Sequence, residues 1–286
     1  MKALDSFMMN KRLILAYSLL AGSLIIVYFP VLKGLIGVWG SQDEYSHGFL
    51  ILPLSLYIAW RKKDSLRGVR IQPSRWGLAL VLSSLVVYIF AQFAGVLTLA
   101  PLSLVFLIAA AVIYLCGFQM LRELAFPLLL LLFMIPLPTQ IYSALTMPLQ
   151  LFVSKTSAGI AHLMGLSVYR EGNVIHLADR SLEVVQACSG LRSMISLLTL
   201  SAIFGYFTLR SSWLKALLFL SGVPAAIGAN VVRIVLLVVA FYWFDFDLTK
   251  GTAHDIFGIA IFFIGLALIV LTRGVLSIWD RSATKE

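Results

Sequence analysis

The sequence predicts an all-α polytopic membrane protein with about eight transmembrane helices, one interfacial amphipathic helix and a small outer β-hairpin. Three observations carry this reading. Of 286 residues, 60% are hydrophobic and only 12% are charged. That is about half the charged share of a water-soluble chain, too little polar surface to cover a globule. The apolar residues come in long runs rather than with strand or amphipathic-helix periodicity, as membrane spans require. Lys and Arg gather at the ends of those runs, as they do in cytoplasmic loops.

Spans are expected at roughly 12–30, 47–60, 76–94, 97–117, 122–137, 189–208, 214–243 and 255–273. The first run ends in Val27-Tyr28-Phe29-Pro30 with no small-residue cleavage site, so it reads as an uncleaved first span. Two runs fall short of the usual ~20 residues, which calls for interfacial flanks or a locally thinned bilayer. Lys2, Lys11 and Arg12 precede the first span, Arg61 to Arg75 fill the loop after the second, and Arg122, Arg210, Lys215, Arg273 and Arg281 follow the later even-numbered ones. All lie on one face if both termini are cytoplasmic. The net charge of +9 is thereby explained by topology, and nucleic acid is not expected as a partner because no basic stripe lies outside the loops.

Two segments are not simple spans. Between Ile141 and Gly165, the residues Ser143, Thr146, Gln150, Ser154 and Ser157 form a polar stripe on an apolar helix that Pro148 should bend. It lies along the outer interface or lines a cavity, with a kinked crossing as the alternative. After Gly172-Asn173, the β-prone runs Val174–Leu177 and Leu182–Val185 flank Ala178-Asp179-Arg180. They read as an outer hairpin that delivers the chain into Cys188. The outer lobe spans about 138–188 of a chain read as one domain, 1–286.

The two cysteines fall on opposite faces in this topology, so they cannot form a disulfide. Cys116 reads as a small hydrophobe in a helix. Cys188, in Val185-Gln186-Ala187-Cys188-Ser189-Gly190-Leu191-Arg192-Ser193, sits where a hairpin turns into a helix. A helix N-terminus and a nearby Arg favour the thiolate. Arg233 lies well inside the apolar run that follows Asn230. It is too deep for easy snorkelling, so a buried partner or a watery cavity explains it better. Gly222, Pro224 and Gly228 suggest a broken helix just before it. His254 opens the last span after the outer loop Asp245–Ala253; alone, it is better explained as a polar anchor. Together the three put a nucleophile, a base and a cation in the outer halves of consecutive spans, which are the parts of an acyl-transfer site. No metal-ligand spacing is present, and neither a metal nor another cofactor is expected. Glu183 and Asp179 are placed to pair with Arg170 or Arg180 on the outer lobe.

The segment Gln186-Ala187-Cys188-Ser189-Gly190-Leu191-Arg192-Ser193 resembles the cysteine motif of the exosortase/archaeosortase family. Asn230-Val231-Val232-Arg233 resembles the family's Arg motif, and His254 matches its His. Asp43-Glu44-Tyr45-Ser46-His47-Gly48 and Pro136-Leu137-Pro138 resemble features of its bacterial branch, and no fused C-terminal domain is seen. The resemblance implies a multi-pass inner-membrane enzyme with its site facing the periplasm. Such an enzyme cleaves a C-terminal Pro-Glu-Pro-like sorting signal on exported proteins through a Cys thioester. It implies Cys188 as nucleophile, His254 as general acid/base and Arg233 as stabiliser of the oxyanion or thiolate. Arg192, Ser189, Asn230 and His47 fall to substrate contact or support, His47 equally well to anchoring at the interface. Exported substrate proteins and membrane lipid are the partners implied. The competing reading is a transporter or scaffold component of envelope or exopolysaccharide export, which intramembrane Arg233 and outer Asp245, Asp247 and Asp255 would suit. It leaves Cys188 without a task.

Overall fold

The computed structural model describes residues 2–96, 98–178, 180–184, 191–249 and 251–282, with side chains described only within 22–280. The chain forms two compact units, Met1–Pro138 and Thr139–Glu286.

The first unit contains α1 (Lys2–Ser41), a 3-10 turn (Asp43–Tyr45), α2 (Gly48–Arg61), α3 (Lys63–Gly68), α4 (Trp76–Ala94), α5 (Leu99–Leu115) and α6 (Phe118–Leu130). A second 3-10 turn, Leu131–Met134, continues α6. The sequence suggested a first span ending at Pro30, yet α1 runs through Pro30 to Ser41. Its buried residues Tyr28, Val31, Leu35 and Trp39 recur at three- and four-residue spacing, so one packed face carries the helix past the proline. The α4 helix is inside-out relative to a soluble one. It buries Gly77, Ser84 and Ala91, seven residues apart, and turns Val86, Phe90 and Phe93 outward. Lipid is as apolar as Leu, so small residues at close backbone contact hold such helices together. A Cβ on Gly77 would lie 2.3 Å from the Tyr114 backbone nitrogen of α5.

The second unit contains α7 (Thr139–Leu163), β1 (Tyr169–Glu171), β2 (Val174–His176), β3 (Ser181–Glu183), α8 (Leu191–Thr208), α9 (Ser212–Phe244) and α10 (Gly251–Ser282). The expected hairpin is β2–β3, with Val174 opposite Glu183 and His176 opposite Ser181. An additional strand, β1, pairs with β2 across Gly172-Asn173, where Gly172 takes φ +60°. That dipeptide is a tight-turn signal, but Tyr169–Glu171 is too short and polar to read as a strand. Four residues of the stripe on α7 face inward: Thr146, Gln150, Ser154 and Ser157 are buried, while Ser143 is exposed together with Ile141, Met147 and Phe152. Ser154 donates to the Gly172 carbonyl at 3.1 Å, and Ser157 to that of Val231 at 3.4 Å. The α7 helix closes in a Schellman cap, with Leu166 N–H on Ala161 O at 3.0 Å and Gly165 at φ +78°.

The expected break before Arg233 is absent, and α9 continues through Pro224 for 33 residues. Packing accounts for this. Leu218, Ala225 and Ala226 of α9 join Leu197 of α8 and Ile269 of α10 in one buried cluster. A Cβ on Gly265 would lie 2.6 Å from the Leu197 side chain. Neighbouring helices thus hold the proline-bearing turn in place.

Each of the eight expected spans corresponds to a helix. Five are long and apolar enough to cross a bilayer: 22–41 of α1, α4, α8, α9 and α10. A sixth arises if residues 118–163 form one broken span. The α2 helix has only 14 residues, about 21 Å of rise against a hydrocarbon core of about 30 Å. The chain is therefore a multi-pass membrane protein with five to six supported crossings.

Candidate active site

Arg233 lies on α9 and is buried, with 9% of its surface exposed. Asn230, one turn earlier on the same face, is also buried. The terminal guanidinium nitrogen Nη2 lies 3.1 Å from Nε2 of His254, in the first turn of α10. On the other side of the ring, Nδ1 lies 3.2 Å from the carbonyl oxygen of Leu248. Arginine only donates and a carbonyl only accepts, so the tautomer follows from its partners. Nδ1 carries the proton and gives it to Leu248; Nε2 presents its lone pair to Arg233. The imidazole is thus oriented from behind by a backbone carbonyl, and its basic nitrogen points at a buried cation.

Arg233 keeps further donors. Its Nε is buried without a hydrogen-bond partner among the described residues. A cavity of about 10 Å³ adjoins it, lined in part by Ser193, Asn230, Arg233 and Gly258, which is about the size of one water or one substrate oxygen. Gly258, one turn after His254, borders this opening, and a Cβ there would lie in ordinary contact at 3.9 Å from Nη2. A buried cationic donor with an open polar space beside it can stabilise an oxygen that becomes negative.

Of the residues singled out from sequence, Arg233, His254 and Asn230 lie in the second unit, and Arg233 directly contacts His254. Arg192 sits in the first turn of α8, partly exposed. Cys188 and Ser189 lie outside the described residues, as does Asp179. Arg180 pairs with Asp245, and Arg170 donates to the Gly172 carbonyl at 2.5 Å. Sequence reasoning missed Gly258, Ser193 and the Leu248 carbonyl. Gly258 was legible as the residue one turn after His254, whereas a backbone carbonyl carries no sequence signal.

His47, expected to open the second span, belongs to the first unit and sits on the turn before α2, outside the five helices long enough to cross. Its Nε2 donates to the Phe133 carbonyl at 3.0 Å. Trp39 donates to Met134 O at 2.9 Å and Thr98 to Pro136 O at 2.9 Å, while the Leu137 N–H bonds to the Tyr45 hydroxyl at 3.2 Å. Gly48 fits this clasp because a Cβ there would fall 2.4 Å from the Trp39 ring nitrogen. Two stretches far apart in sequence, 39–48 and 133–137, are thus one hydrogen-bonded structure. Burial lowers the His47 pKa below the usual imidazole value, opposed by the bond to Phe133.

Fold and site together define a multi-pass helical membrane protein that holds an Arg–His pair between two of its helices, a costly placement for ionisable groups. The chain matches the family model for transmembrane exosortases over residues 39–271. That span takes in both units and both the clasp and the Arg–His pair. The chain belongs to the transmembrane exosortase family. No curated protein and no solved structure matches it.

Proposed function

We propose that this chain is a membrane cysteine transpeptidase that cleaves a C-terminal sorting signal of Pro-Glu-Pro type on exported proteins. The observation that carries the reading is the Arg233–His254 contact, made inside the span of the family match. A thiol nucleophile needs a neutral imidazole whose lone pair can take its proton, and a cation for the oxyanion. The tautomer places that lone pair on Nε2, where it accepts from Arg233 until the thiol proton arrives, and Arg233 Nε has no partner among the described residues.

In the proposed reaction, His254 Nε2 takes the Cys188 proton and the thiolate sulfur attacks the scissile carbonyl. Arg233 stabilises the resulting oxyanion. The amide C–N bond breaks as His254 returns the proton to the departing amine, leaving a thioester on Cys188. An acceptor nucleophile attacks the thioester as its proton passes to His254; the C–S bond breaks, and His254 returns that proton to the Cys188 thiolate. Asn230, Ser189 and Arg192 are assigned to substrate contact or support of this machinery, and His47 to substrate contact or to anchoring at the interface. The two units act as one domain in the bacterial inner membrane, with both termini cytoplasmic and the site facing the periplasm; the clustering of Lys and Arg supports that orientation.

The test is co-expression with a substrate bearing such a signal, using wild type and Cys188→Ala, Arg233→Ala and His254→Ala, with membrane levels measured for each. Shortening of the substrate by wild type alone is expected. Normal processing by Cys188→Ala would remove the thiol from the mechanism.

A further inference from the structure

Arg180 lies between β2 and β3, and its guanidinium bonds the carboxylate of Asp245 at the end of α9. The same group stands 5.1 Å from the centre of the Phe241 ring, so carboxylate and ring face hold it together. Asp245 takes the left-handed conformation at φ +50°, uncommon for a residue with a side chain, and begins the loop to α10. Two residues on, Asp247 Oδ1 accepts the Thr249 N–H at 2.8 Å and its hydroxyl at 2.5 Å. This side chain-to-backbone turn brackets Leu248, whose carbonyl takes the Nδ1 proton of His254.

The hairpin side of the same contact leads to the thiol. Just after β3, Val184 is fully buried. Its N–H bonds Asn173 O at 2.9 Å, and its carbonyl accepts from Asn173 Nδ2 at 3.2 Å. Val184 and Leu182 share a cluster with Ile234 and Leu237 of α9, and Leu248 packs against it. Four residues take the chain from Val184 to Cys188, a reach of at most about 14 Å. Hairpin, α9 and the His254 loop therefore meet at one place, and Arg180–Asp245 is the polar bond across it.

We propose that Arg180 and Asp245 are positioning residues for the thiol transfer: their bond ties the hairpin that precedes Cys188 in sequence to the loop that orients His254. The proposal rests on the transpeptidase reading given above. Stability does not account for the pair, because its side chains are 40% and 80% exposed and exposed ion pairs add little to folding. What it constrains is geometry, and a misplacement of about 1 Å at a reacting centre lowers rates about a hundredfold.

The experiment uses the full chain in membranes with Cys116→Ala, so that Cys188 is the one thiol left of two. The rate of alkylation by iodoacetamide is followed against pH, and substrate processing is measured alongside. Wild type should alkylate with a midpoint below the ordinary thiol value of about 8.5. Arg180→Ala, and Asp245→Asn, which tolerates the left-handed backbone, should each move the midpoint towards 8.5. Each should slow processing about tenfold or more, with KM little changed. The exchanged pair, Arg180→Asp with Asp245→Arg, should recover a substantial part of both. If wild type shows the low midpoint and neither single variant changes it or the rate, the positioning role is overturned while the transpeptidase reading stands. If wild-type Cys188 titrates as an ordinary thiol while wild type still processes substrate, the positioning role alone is overturned; if Cys188→Ala processes substrate like wild type, both fall together.

Discussion

Arg233 is a cation buried among helices that face lipid, and the group it meets is a neutral imidazole rather than a carboxylate. An ion pair would neutralise it; a neutral partner leaves its charge available to the reaction. Arg233→Lys keeps the charge but loses the planar fork, and a lysine ammonium is a compact point donor. Processing should fall about a hundredfold or more at unchanged membrane levels, measured on the co-expressed substrate. Gly258 gives a graded companion. Its open position accepts a methyl group at 3.9 Å from Arg233, so Gly258→Ala should retain most activity. Gly258→Leu should fill the cavity and abolish processing while the protein remains in the membrane. His47 makes a pH prediction. Its folded pKa is lowered, so the folded state binds fewer protons than the unfolded one. Its stabilising effect is present above the ordinary imidazole pKa of about 6.5 and is lost as pH falls through the lowered folded value. In detergent, the thermal midpoint of wild type should drop on acidification below about pH 6.5, and His47→Gln, which keeps a donor but does not titrate, should flatten that slope.

At the scale of elements, close approach decides the packing. Gly77→Ala would set a methyl group 2.3 Å from the backbone of Tyr114. Backbone cannot rotate away as a side chain can, so α4 and α5 must separate. A loss of about 1–3 kcal/mol is expected, readable as a lower thermal midpoint and increased proteolysis of the α4–α5 region. The sequence made helix existence legible because apolar runs are long. It was silent on which helices end short, since α2 and a full crossing have the same composition and differ only where the turns fall. The inward polar stripe of α7 was visible as a stripe, but its direction was not. A polar face points to water in a soluble helix and away from lipid in this one, and only the packing against α9 selects between them. Pro224 misled for a related reason, since a proline breaks an isolated helix but not one clamped between α8 and α10.

For the whole molecule, the Lys and Arg distribution implies that the two thiols face opposite compartments. A membrane-impermeant maleimide added to intact spheroplasts should label Cys188 in a Cys116→Ala chain. It should label Cys116 in a Cys188→Ala chain only after permeabilisation; the reverse pattern would invert the topology. Much of the candidate site was legible because an Arg or His within an apolar run has few ordinary explanations. The clasp was legible only as two unexplained motifs, Asp43–Gly48 and Pro136–Pro138. What joins them is a set of bonds from Trp39, Tyr45, His47 and Thr98 to backbone atoms of 133–137, and a receiving backbone reads as any other sequence. The Arg180–Asp245 bond was hidden for a different reason: its partners are 65 positions apart, and either residue alone resembles ordinary loop polarity.

One nitrogen of His254 cannot serve two masters. While its lone pair accepts from Arg233 at 3.1 Å, it holds no proton; once it holds one, that contact turns from attraction to repulsion between two cations. In the proposed reaction, capture of the thiol proton would therefore eject the guanidinium from the imidazole in the same step that creates a negative oxygen on the substrate. The pair would work as a commutator, with proton arrival on one residue handing positive charge from the base to the oxyanion, and proton departure drawing it back.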